Sequence, residues 1–147
     1  LALDGIYKQN SFSYIFILYN NIMNDIMKRF MLFLIGCMGA RFVLVYLAKN
    51  INIYYLPYLG YFAAILSIGF MYIFLTGSRK TGREVLGGKI WWNDLRPLHS
   101  ILYGIFAYLA ITKNKNAWKV LLVDIVIGLF SFLLFHYNEG DFAKLLD

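Results

Sequence analysis

The stretch "FMLFLIGCMGARFVLVYLA", residues 30–48, is apolar from end to end apart from one arginine, Arg41. A helix that spans a bilayer needs about 20 apolar residues at about 1.5 Å of rise each. The run therefore predicts a transmembrane helix, with the basic pair Lys28 and Arg29 directly before it. Working outward, three more apolar runs follow at 53–75, 95–112 and 118–137, that at 95–112 with a polar first turn. The connections at 49–52 and 113–117 are too short for anything but reversal, so the spans predict two antiparallel hairpins. The connection at 76–94 holds glycines without a sustained period and reads as a loop with at most one helical turn. The fold class expected is an all-α membrane protein of four transmembrane helices.

Composition agrees. Of 147 residues, 61% are hydrophobic and 15% charged, against about 45–50% and about 25% in a soluble domain. Polar groups this sparse cannot cover a surface in water. The net charge of +6 is spread between apolar runs, which suits an anionic lipid surface better than nucleic acid. The lone Cys37 excludes an internal disulfide framework and a CxxC pair. Residues 1–26 are rich in Asn, Ile and Tyr and differ from the rest. They read as a doubtful N-terminal extension, either translated upstream sequence before Met27 or an interfacial helix at 12–23, ahead of a four-helix domain at 27–147.

Basic residues set orientation, because they favour the cytoplasmic side. Lys8, Lys28, Arg29, Arg79, Lys80, Arg83, Lys89, Arg96 and Lys144 fall on one side, and only Lys49, Lys113, Lys115 and Lys119 on the other. Both termini and the middle loop are expected to be cytoplasmic. Small residues at Gly36 and Ala40, Gly60 and Ala64, Gly104 and Ala107, Gly128 and Ser131 allow close helix approach.

Two charges interrupt the spans. Arg41 lies seven residues before Ala48, and Asp124 six after Trp118. Both should sit roughly 10 Å below the same boundary. A charge at a helix centre costs about 2.5–3.5 kcal/mol, so a cross-bundle ion pair is expected. That pair reads as a staple between helices or as part of a substrate or proton pathway. A third reading leaves Arg41 snorkelling to the interface, with Asp124 protonated or hydrated.

The stretch "GGKIWWNDLRPLHS", 87–100, is built differently. Asn93 or Asp94 is a suitable N-cap, and Pro97 falls in the first helical turn, where it lacks nothing the helix needs. Arg96, His99, Ser100 and Tyr103 follow i, i+3, i+4, i+7 and form one polar stripe. Trp91 and Trp92 precede it at headgroup level, with Trp118 as the anchor at the opposite boundary. Two readings stand: an aromatic anchor with a stripe facing protein, or a cytoplasmic pocket. In the pocket, Lys89 and Arg96 hold an anionic headgroup while His99 and Tyr103 exchange protons.

Other chemistries fail. In "GREVLGGKI", 82–90, Gly88 stands where a phosphate-binding loop needs Lys, and Ile90 follows Lys89 instead of Ser or Thr. Two histidines and one cysteine are thin for zinc, and no Glu-x-x-His motif is present. No filter-like carbonyl motif occurs. No metal, cofactor or catalytic residue is implied.

The run "TGREVLGGKIWWNDLRPLHSILYGIFAYLAI", 81–111, with "FLIGCMGARFVLVYLAK" before it and "AWKVLLVDIVIGLFSFL" after, resembles small multi-pass membrane proteins of large DNA viruses of protists and of marine metagenomes. Trp91-Trp92-Asn93 with Arg96-Pro97 and His99 is the most distinctive part. The resemblance implies a multi-pass membrane location and no catalytic activity. The function expected is therefore a non-enzymatic membrane component, structural or assembly-related. Its partners are the bilayer, anionic headgroups, and a second copy or other membrane proteins. The alternatives are a small oligomeric transporter or channel using Arg41, Asp124 and the His99 stripe, and then a lipid-modifying enzyme.

Overall fold

The computed structural model describes residues 25–82, 88 and 90–145. Most of the N-terminal extension, Arg83 and Lys89 lie outside the described residues. Within them the chain is all-helical in its regular structure. Helix α1 runs Asp25–Asn50, α2 Leu56–Thr76, α3 Arg96–Ile111 and α4 Trp118–Asn138. The expected runs thus each hold a helix, with ends shifted by a few residues.

Helix α1 is not uniform. Its middle, Leu32–Met38, is π-helical, and the Gly39 amide donates to the Leu34 carbonyl five residues back. Such wider turns hold an extra residue and concentrate at functional sites. Helix α2 starts at a proline in its first turn and ends at Gly77, whose φ of 59° and ψ of 22° form a left-handed cap. Glycine takes that conformation without a Cβ clash.

Three helices, α1, α2 and α4, are long and apolar enough to cross a membrane. The expected span at α3 is not among them. Its 16 residues reach only about 24 Å, short of the roughly 30 Å of a hydrocarbon core. The cause is Pro97, which has no N–H to continue the ladder and whose ring would clash with a helical turn before it. The chain upstream is accordingly a 3₁₀ stretch, Trp91–Leu95, with Trp92 outside helical geometry at φ −90° and ψ 15°. The expected cap is corrected with it. Leu95 holds the N-cap position of α3 without a side-chain bond, while Asn93 and Asp94 lie inside the 3₁₀ stretch.

The helices alternate in direction. At one end Lys49 lies over the Trp118 ring at 5.1 Å, and Lys113 over the Tyr54 ring at 5.3 Å, so both short connections meet there. At the other end the start of α1 packs on the end of α4. Phe33 stacks on Phe132 with centroids 4.2 Å apart, and Phe30 meets the same ring edge-on at 4.8 Å. The packing of the predicted hairpins is partly different from expectation. The tightest pair is α2 with α3, and α1 packs on α4, whereas α1 and α2 barely touch. Glycine decides the first contact. A Cβ on Gly60 would lie 2.9 Å from Ile111 Cγ1 and 3.0 Å from the Ala107 carbonyl oxygen. Gly128 plays the same part on α4, where a Cβ would come within 3.2 Å of Arg41 Nη1. Gly36 does not, since a Cβ there meets nothing within 4 Å.

Candidate functional site

Because α1 and α2 stand apart, a cleft of about 810 Å³ opens between them. The π-helical turns supply one wall through Leu32, Phe33, Gly36 and Cys37, and α2 supplies the other through Phe62, Leu66, Phe70 and Ile73. Rim residues Leu32, Val43 and Phe62 are exposed, so the cleft is open along its side. Its polar lining comes from Arg41, Arg79, Arg96, His99 and Tyr103, with Trp91 and Trp92 toward the end that carries residues 77–82.

Arg41, His99 and Asp124 form one cluster at the cleft. Arg41 Nη1 donates to Asp124 Oδ2 at 2.8 Å, and His99 Nδ1 lies 2.5 Å from Asp124 Oδ1. Arg41 Nη1 and His99 Nδ1 are 3.3 Å apart. A carboxylate only accepts, so the shorter contact assigns the proton to Nδ1 as the donor to Asp124, and the longer approach of Arg41 to His99 is then not a hydrogen bond. Both carboxylate oxygens then accept a hydrogen bond, and the charge of Asp124 is answered by Arg41. The Asp124 side chain is 1% exposed while that of Arg41 is 13% exposed. The acid is sealed and the arginine still reaches the cleft.

The stripe on α3 faces protein, since Arg96, His99, Ser100 and Tyr103 are all buried. Three of them, Arg96, His99 and Tyr103, line the cleft, and each makes different contacts. Arg96 Nη1 donates to Asn93 Oδ1 at 2.7 Å and to the Arg79 carbonyl at 3.2 Å, tying the loop to the start of α3. Ser100 Oγ donates to the Ser67 carbonyl at 2.8 Å, and Ser67 Oγ to the Ser100 carbonyl at 2.7 Å, a reciprocal clasp between α2 and α3. Tyr103 packs edge-on to Phe70 with centroids 5.6 Å apart. Only His99 joins the charged pair.

Of the residues expected in a pocket, Arg96, His99 and Tyr103 line the cleft, while Lys89 lies outside the described residues. Since α3 begins after an extended 3₁₀ stretch, its first full turn lies level with Arg41 and Asp124. Trp91 and Trp92 also pack on protein. Trp91 stacks on Phe135 at 4.8 Å with planes 9° apart, and Trp92 meets Trp91 edge-on at 5.3 Å. Both are half-buried against α1 and α4 and do not form a collar facing only lipid.

Sequence reasoning passed over Ser67, although it is the only serine in the α2 run; it gave no role to Asp141 and read Arg29 only as an orienting charge. At the loop end of the bundle, His136 Nδ1 lies 2.7 Å from Asp141 Oδ2 and Lys144 Nζ donates to Asp141 Oδ1 at 2.8 Å. Partial burial pushes the Asp141 carboxyl up, but the bonds from Lys144 and His136 outweigh this and hold it below its ordinary value.

Chemically, the cluster offers a cleft ligand the remaining donors of Arg41 and, with Nδ1 protonated, an acceptor at His99 Nε2. The Ser100 hydroxyl is committed to the α2 backbone. Among the described residues no group of three or more His, Cys, Asp or Glu side chains is placed to hold a metal ion. Comparison with protein-family models, with curated proteins and with solved structures gave no match.

Proposed function

We propose that this chain is a non-enzymatic multi-pass membrane protein that takes up one acyl chain of a membrane lipid in the cleft between α1 and α2. The observation that carries this reading is the cleft itself: about 810 Å³, side-open, apolar along both walls, and ended by Arg41 and His99. Ligand pockets typically measure about 300–1,000 Å³ and pair apolar walls with a few placed polar groups. Between helices that cross a bilayer, the molecules at hand to fill such a slot are lipids.

The reading includes a fourth crossing, by α3. Although α3 is short, the Trp91–Leu95 stretch adds about 10 Å at about 2 Å per residue, so the composite reaches roughly 34 Å. Basic residues place both termini and the middle loop on the cytoplasmic side. A viral or virus-derived membrane as the host rests on the resemblance of residues 81–111.

The test is retention of lipid. Purified protein, washed with detergent and examined intact by mass spectrometry, should keep about one lipid per chain. Gly36→Phe adds a ring where a Cβ meets nothing within 4 Å, filling the cleft without crowding the helix. That variant should lose the lipid and keep its unfolding temperature. Equal retention by both proteins would remove the proposal.

A further inference from the structure

A second cavity, of about 280 Å³, lies at the loop end of the bundle and is lined by Arg29, Trp92, His136, Glu139, Asp141 and Lys144 among others. Phe33, Trp91 and Trp92 line both this cavity and the cleft, so the two adjoin. Within it the groups are unequally committed. Asp141 has one oxygen against His136 and the other bonded to Lys144. Glu139 is exposed. Arg29 is different: its Nε is buried and has no hydrogen-bond partner.

A buried donor without a partner is costly, and in native proteins it calls for an explanation such as an ion or ligand. A guanidinium binds phosphate oxygens through paired N–H donors. We infer that Arg29 is the anchor of a phosphate-binding site at the membrane surface, with the phosphate between Arg29 and the indoles of Trp91 and Trp92. The phosphate is either that of an anionic lipid headgroup or a free phosphate ion. If it belongs to a lipid, the shared wall of Phe33 and the two indoles lets one molecule place its phosphate at Arg29 and a chain in the cleft. That last step rests on the cleft reading, but the Arg29 site does not.

The experiment uses protein in which Trp118→Phe leaves Trp91 and Trp92 as the fluorophores. Reconstitution in vesicles of phosphatidylcholine containing chain-brominated phosphatidylglycerol, or brominated phosphatidylcholine at equal fraction, reads lipid beside these rings by quenching. The wild-type pocket should favour phosphatidylglycerol about fivefold, the effect of one basic residue at a membrane surface. Arg29→Gln should abolish the preference and Arg29→Lys should restore part of it. Lys28→Gln removes the same charge one residue away, where Lys28 is already paired with Asp25, and should leave the preference intact. Inorganic phosphate that erases the preference at millimolar concentration identifies the free ion as an occupant of the same site. A wild-type preference near one, or equal losses in Lys28→Gln and Arg29→Gln, would overturn the site. Gly36→Phe separates the two readings: a kept preference with lost lipid retention leaves Arg29 standing and bears on the cleft alone.

Discussion

His99, in the first full turn of α3, lies 2.5 Å from Asp124, in the second turn of α4, and the same carboxylate takes Arg41 from α1. Three helices thus meet at one buried acid. Pairing compensates a charge that would otherwise oppose insertion, and it joins the α1–α4 pair to the α2–α3 pair through α3.

Breaking the cluster should cost stability in a fixed order. Asp124→Asn leaves Arg41 without its counter-charge, and loss of one partner from a buried pair costs about 3–5 kcal/mol. His99→Ala removes a hydrogen bond to a charged group and should cost about 1.5–3 kcal/mol. Exchanging the charges, Arg41→Asp with Asp124→Arg, should recover only part of the loss, because His99 would then face arginine. Unfolding in detergent, followed by tryptophan fluorescence, measures all of these. A stable Asp124→Asn protein would show that the acid is not held as an ion.

Glycines of α2 should separate by what surrounds them. Gly60→Ala drives a Cβ into Ile111 and the Ala107 carbonyl, and overpacking of this kind costs about 1–3 kcal/mol. Gly69→Ala meets nothing within 4 Å and should be neutral or stabilise by up to about 1 kcal/mol through helix propensity. Thermal midpoints of the two variants check this, and equal effects would contradict the close approach of α2 and α3.

Acid should loosen the end of α4 through Asp141. Its folded-state pKa is lowered, so its contribution is fully present above the ordinary carboxylate value of about 3.9 and fades as pH falls through the folded value. Stability of the wild type should therefore drop in this window more than that of Asp141→Asn. Parallel acid limbs for the two proteins would show that the His136–Asp141–Lys144 tie contributes nothing.

Sidedness should follow the charges. On a Cys37→Ser background, single cysteines at 50 and 114 should react with an impermeant thiol reagent from outside intact cells, and one at 80 should not. Labelling at position 80 from outside would invert the topology.

Hydropathy by itself determined the helices, because a bilayer demands long apolar runs and internal backbone bonding whatever the packing. Arg41 and Asp124 could be matched in depth by counting residues from Ala48 and Trp118 along regular helices. Counting did not bring His99 to the pair. The 3₁₀ stretch that lowers the start of α3 comes from Pro97 together with the packing of Trp91 on Phe135, and no periodicity records such a contact. Tertiary structure alone decided which helices pair. Gly60 fits against Ala107 and Ile111, the two serines clasp each other's carbonyls, and Phe33 stacks on Phe132. These complementarities depend on shape across the bundle, where every apolar face competes equally. They leave α1 apart from α2 and so create the cleft, which no run of residues in the chain spells out.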